Sequence, residues 1–282
     1  MKSVAIIGAT GMLGSMLVQI LGKDHRLIMV YREKNDVRML QKLAGKRARH
    51  QYVRADLYRS GRSKRAFKRI LGILNADAVI NAAAVLKIKT LQETEEISFI
   101  NGTLPHLLAQ HFGAKLIHIS TDGVFDGTKG SPYDERATPN ASDLYAITKR
   151  MGEPKGAITL RTSIIGPSPK GDGLLEWLKR QRGKIVNGHA GAYWNGITTK
   201  ELSAICAKLI DGKIKVRPGI YHIFSTPGIS KYKLLVKLKK KYHIPCTLVK
   251  DRRVKKDLRL STRFSLNKKL KIPTIDKMIA EL

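Results

Sequence analysis

Cysteine is nearly missing from this sequence, with only Cys206 and Cys246 in 282 residues. Neither falls in a CxxC or His/Cys spacing, which excludes a disulfide framework and leaves no basis for a structural zinc site. The expectation for metal is none. Long apolar runs are missing as well: no stretch of about 18 such residues occurs, so no membrane-spanning helix and no membrane insertion are expected. The apolar start at Val4 is broken by Gly8, Gly11 and Gly14 before any small-residue cleavage site, unlike a signal peptide. A cytoplasmic protein is therefore expected. Acid is scarce, with 22 Asp and Glu against 53 Lys and Arg and a formal net charge of +31. Such an excess raises nucleic acid, anionic membranes and anionic small molecules as partners. Aromatic residues make up 6% of the chain and do not interleave with the basic runs 237–241 and 252–256. With no helix-turn-helix or zinc-finger pattern either, nucleic acid is not indicated and the charge reads as a solvated surface.

What is present is a regular alternation of short β-branched runs and helical spacing through residue 165. Strands are expected at 3–7, 27–30, 52–53, 78–80, 116–119 and 158–160, with helices at 12–21, 37–43, 63–74, 95–112 and 144–152. That rhythm belongs to βαβ units and predicts an α/β fold with a doubly wound parallel sheet. Beyond Pro167 the rhythm changes to helices at 174–181, 200–210 and 231–242 and a strand at 221–224. Residues 1–166 are accordingly read as a nucleotide-binding domain. Residues 167–282 read as a small C-terminal substrate-binding lobe, some of whose segments return to the core, packed where such sheets bind ligands.

Gly8, Thr10, Gly11, Met12, Leu13 and Gly14 follow the first strand and open the first helix. Glycines in that place let backbone N–H groups approach a pyrophosphate, and the helix N-terminus favours its charge. The second strand runs into Val30-Tyr31-Arg32. An acidic residue there would accept from the ribose of NAD; Arg32 instead offers a guanidinium to a 2′-phosphate, which favours NADP over NAD. Arg32 is also one arginine among many and is followed by Glu33, so a plain surface residue remains the alternative. Asp56 and Leu57 are placed to meet the adenine, and Ala82, Ala83 and Ala84 give small side chains where a cofactor passes close to backbone.

Tyr145 and Lys149 lie four residues apart on one helical face. The lysine is expected to draw the phenol down from its ordinary value of about 10 into the range of useful acid–base catalysis. The fifth strand delivers Thr121 and Asp122 beside them, and Asn101 is a polar residue in an apolar helix that would hold a water against Lys149. The plain alternatives are a turn cap for Thr121 and Asp122 and an exposed helix position for Asn101.

GATGMLG at 8–14, NAAA at 81–84, Asn101 with Pro105 after it, STDGVFDG at 120–127, YAITK at 145–149 and LRTSIIGP at 160–167 together resemble the extended short-chain dehydrogenase/reductase family, within it the dTDP-4-dehydrorhamnose reductase branch. The resemblance implies a Rossmann fold and hydride transfer from NADPH to a 4-keto-6-deoxy nucleotide-diphosphate sugar. Tyr145 would protonate the new alkoxide, Lys149 would bind the nicotinamide ribose and tune Tyr145, and Thr121 would orient the keto oxygen. Gly123 stands where the rhamnose enzyme usually has tyrosine and where nucleotide-sugar dehydratases have the glutamate that removes the C5 proton. Reduction therefore stays feasible while dehydration loses its base. Residues 85–89 also depart from the rhamnose pattern and point to a different nucleotide sugar, with Lys87 near its sugar or phosphate. Asp122, Gly123 and Trp194 complete the expected substrate contacts, with Asn195 and His189 weaker candidates and Trp177 read as core. A regulatory subunit resembling that of methionine adenosyltransferase, an epimerase and a homodimeric assembly are the other readings left open.

Overall fold

The structure is a computed structural model that describes every residue except 46–48, 87–89 and 129, together with the side chains of 91 and 92. Six strands come in the expected order: β1 (Ser3–Ile7), β2 (Arg26–Tyr31), β3 (Gln51–Arg54), β4 (Ala78–Asn81), β5 (Leu116–Thr121) and β6 (Ile158–Thr162). The chain continues through β7 (Ile164–Ile165), β8 (Ile185–Trp194), β9 (Ile197–Thr198), β10 (Gly219–His222), β11 (Ile229–Ser230) and β12 (Thr247–Asp257). β10 joins the main sheet, whose seven parallel strands run in the order β10-β6-β5-β4-β1-β2-β3.

Alternate residues of β1 enter different cores. Val4 and Ile6 pack with Leu13, Leu17 and Leu202 on one side, and Ala5 and Ile7 pack with Leu104 and Leu108 on the other. A strand buried on both faces reads as a continuous apolar run, as these do. Helices cover both faces, and the fold is a Rossmann fold. Its strand order reverses between β1 and β4, so a crevice opens at their carboxyl ends.

Two departures from the expected pattern matter for the site. The helical stretch expected at 95–112 begins at Leu91 and is interrupted by a π-helical turn at Ser98–Thr103. Pro105 explains part of this, since it has no N–H to give the carbonyl of Asn101. The lobe also contains a sheet ordered β11-β8-β12 that the apolar pattern did not reveal. β12 reads TLVKDRRVKKD and is largely exposed, so charge hides its strand periodicity. Cys206 and Cys246 are both buried in the larger core. Among the described residues no helix is long and apolar enough to cross a membrane.

Candidate active site

The turn after β1 is closed by Gly11 N–H donating to the Gly8 carbonyl at 3.1 Å, and Gly11 is the N-cap of the helix Met12–Leu21. Gly8 has φ +79°, and a Cβ there would lie 2.8 Å from the Ala83 backbone. At Gly14 a Cβ would come within 2.0 Å of the Gly8 carbonyl, so these two glycines serve the packing of the turn itself. Gly11 differs, because a Cβ would meet only the Gly8 oxygen at 3.5 Å. The space before it belongs to a cavity of about 230 Å³ that Gly8, Thr10, Arg32, Asp56, Leu57 and Ala82–Ala84 also line. An open backbone cradle at a helix N-terminus fits the pyrophosphate of a dinucleotide.

Asp56 caps the short helix Leu57–Gly61, accepting from Arg59 N–H at 3.0 Å. Arg32 donates to Glu96 at 2.7 Å and to Glu33 at 3.1 Å.

A second cavity of about 290 Å³ shares Gly11, Ala82–Ala84 and Asp172 with the first and continues past Met12 and Leu13 to Thr121, Tyr145 and Lys149. Tyr145 and Lys149 sit on the helix Leu144–Met151, which Asp143 caps by accepting from Ala146 N–H at 2.9 Å. Lys149 is 2% exposed and its ammonium donates to the Ile119 carbonyl at 2.7 Å. Burial pushes it down to about 8, against the raising influence of Glu153. Tyr145 departs from expectation: burial pushes its phenol up to about 12, a bond with Thr121 pulls it down, and the charges of Asp122 and Asp143 push it up. Lys149, turned to Ile119, does not offset that burial.

The Thr121 hydroxyl accepts from Gly123 N–H at 3.0 Å and donates to Asp122 at 3.3 Å. Asp122 is 6% exposed, and burial pushes it up to about 6 against the charge of Lys231 and bonds from Thr121 and Ser163. A Cβ at Gly123 would lie 3.2 Å from Thr121 Oγ1 and 3.9 Å from the Tyr145 ring, so this glycine packs beside the pair, although neither it nor Asp122 lines the cavity itself.

Asn101 is fully buried and is placed otherwise than expected. Its amide oxygen accepts from Val85 N–H and its nitrogen donates to the Val85 carbonyl, both at 2.9 Å, with Thr148 Oγ1 at 3.4 Å. The side chain is thus spent on fastening the segment after β4, not on Lys149. Sequence reasoning missed this clamp and also the buried pair behind Lys149. There Arg161 binds Glu153 through Nε at 2.7 Å and Nη2 at 2.6 Å, and Ser120 donates to the same carboxylate at 2.6 Å. A glutamate directly after Gly152 and an arginine inside an apolar strand were the available signals.

In the lobe, Trp194 is 4% exposed and lies in the larger core, so its indole is closed to a nucleotide base. Strand alternation turns Tyr193 outward instead, with Arg259 5.1 Å from its ring. The Asn195 amide is pinned to Leu260, and His189 lies 3.7 Å from Asp251. Trp177 is 37% exposed, the core of its helix being Leu175 and Leu178. Lys87 lies outside the described residues.

The model of the RmlD substrate binding domain matches residues 1–256. Spore coat polysaccharide biosynthesis protein SpsK of Bacillus subtilis is 29% identical over 183 residues, covering 60% of this chain and 62% of that protein. The dTDP-4-dehydrorhamnose reductase of Mycobacterium tuberculosis H37Rv is 37% identical over 89 residues, 29% of each chain. The chain thus spans less than two thirds of the length of these curated relatives. The crystal structure of dTDP-4-dehydrorhamnose reductase from Bacillus anthracis in complex with NADP superposes with a TM-score of 0.76 at 19% identity, covering 100% of this chain and 98% of that one. At that identity the likeness speaks for the fold.

Proposed function

We propose, from the premise that this chain belongs to the RmlD substrate binding domain family of extended short-chain dehydrogenases/reductases, that it is an NADP-dependent reductase of a 4-keto-6-deoxy nucleotide sugar. The observation that carries this reading is the continuity of the cleft: the open cradle at Gly11 meets the pocket of Thr121, Tyr145 and Lys149 at Ala82–Ala84. NADPH, when bound, supplies the hydride.

The chain's own part is to position the keto group and deliver a proton. A phenol pushed up to about 12 keeps its proton at neutral pH and can give it to an alkoxide, a far stronger base, but it is a weaker acid than the lowered phenol that the sequence led us to expect. Thr121 is fixed by the Gly123 amide and would hold the keto oxygen against Tyr145. Lys149 would hold the nicotinamide ribose from the same cavity. Gly123 has no side chain to take a C5 proton, which favours simple reduction over dehydration.

Purified protein with NADPH and a panel of 4-keto-6-deoxy sugar nucleotides should show loss of nicotinamide absorbance with at least one member; inertness toward all of them would overturn the reading. Tyr145→Phe should lower turnover by about 100-fold or more while sparing cofactor binding. Undiminished turnover in that variant would remove Tyr145 from the mechanism.

A further inference from the structure

Arg32 stands where the adenosine half of the cleft opens, and its guanidinium is engaged on two sides. Nη1 donates to Glu96 at 2.7 Å and Nε donates to Glu33 at 3.1 Å. Arg54 donates to the Arg32 carbonyl at 3.2 Å, and Arg54, Asp56 and Arg59 line a polar recess of about 570 Å³ together with Arg32 and both glutamates. The two carboxylates differ in how easily they can leave. Glu33 is 62% exposed and sits beside Arg32 in sequence, so its side chain can swing into water. Glu96 is 23% exposed and rides on the helix Leu91–Ile97, anchored at its start by a capping box between Thr90 and Glu93.

We propose that Glu96 sets the 2′-phosphate preference of the dinucleotide site, by holding the Arg32 fork in the free protein and competing for it with the incoming phosphate. The proposal rests on reading this cleft as a nicotinamide-dinucleotide site. A phosphate monoester carries about −1.5 to −2 charges near neutral pH and binds an arginine fork through two oxygens. To do so at Arg32 it must displace Glu96 or lie against its charge. Arg54 and Arg59 attract the same phosphate, Arg59 being itself paired with Asp56 at 3.6 Å, so the discrimination that these arginines would give is cut back by the carboxylates of the recess, and most by Glu96, which holds the Arg32 fork. A 2′-hydroxyl asks no such exchange, and Glu96 can stay where it is.

The test is calorimetric titration of the full chain with 2′,5′-ADP and with 5′-AMP, which differ only in the 2′-phosphate. Glu96→Gln keeps the shape and removes the charge. It should tighten 2′,5′-ADP about fivefold, the scale of a partly exposed ion pair, and leave 5′-AMP within about twofold. The unchanged 5′-AMP affinity also reports an intact fold. In an Arg32→Gln background the effect of Glu96→Gln should fall to about twofold or less, since only direct repulsion between the carboxylate and the phosphate is left. An unchanged ratio of the two affinities, or weaker 2′,5′-ADP binding in Glu96→Gln, would overturn the proposal. Failure of the unsubstituted chain to bind either probe would instead overturn the dinucleotide reading, and the proposal with it.

Discussion

At the scale of single residues, the site is governed by burial more than by its charged neighbours. Lys149 has its ammonium form disfavoured, from 10.5 down to about 8, so it loses its proton well before an ordinary lysine would. If the ammonium holds the cofactor ribose, kcat/KM for reduction should fall as pH rises through about 8; a profile flat to pH 10 would show that the ammonium is not needed. Asp122 is raised from 3.8 to about 6. A raised acid contributes stability that is fully present below 3.8 and is lost as pH rises through about 6, because the buried anion is the costly form. At about 1.4 kcal/mol per pH unit the rise corresponds to about 3 kcal/mol. Asp122→Asn should therefore raise the thermal midpoint at pH 8, with the gain shrinking toward pH 4 in scanning calorimetry.

Residue identity was the legible part at this scale. Tyr145, Lys149 and Thr121 carry motif spacing and do line one cavity. Which way a side chain faces was harder to read: Trp194 and Tyr193 are adjacent in β8, and only the register decides which of them is buried.

Among elements, the contact that shapes the helix Leu144–Met151 is the one between Gly152 and the π-helical turn. A Cβ at 152 would stand 1.7 Å from the Asn101 carbonyl oxygen, and both partners are backbone or Cβ with no rotamer to move. Gly152→Ala should cost about 2 kcal/mol or more, read as a lower midpoint in urea unfolding. Turnover should fall with it, because the Tyr145 helix must shift. A wild-type midpoint would mean that the two helices do not approach this closely. Pro105 stood in the sequence as a signal of the π-helical turn, but the helix was expected to run unbroken through 95–112. Gly152, some fifty residues further on, was not visible as its neighbour, since nothing local links the two.

For the molecule as a whole, the parallel sheet was legible because its strands are apolar runs, and the sheet of the lobe was not because β12 is a charge run. That charge has its own consequence. With +31 formal charges on 282 residues, self-repulsion opposes the compact state, so added salt should stabilise it. The thermal midpoint should climb between about 0.02 and about 0.3 M NaCl, and a midpoint that falls over this range would mean that specific ion pairs outweigh the repulsion.

β10 returns from the lobe to lie beside β6, supplying the last strand of the main sheet. β6 is buried along its whole length, and Thr159, Leu160 and Arg161 face β5 on one side and β10 on the other. A chain cut after β6 would bare a row of unpaired N–H and C=O groups on a strand that is otherwise buried, the template on which sheets join edge to edge and aggregate. The stretch 167–282 therefore cannot be exchanged without taking β10 out of the main sheet. Evolution or engineering can recast the pocket through side chains and loops, but the strand that seals the sheet must travel with whatever replaces it.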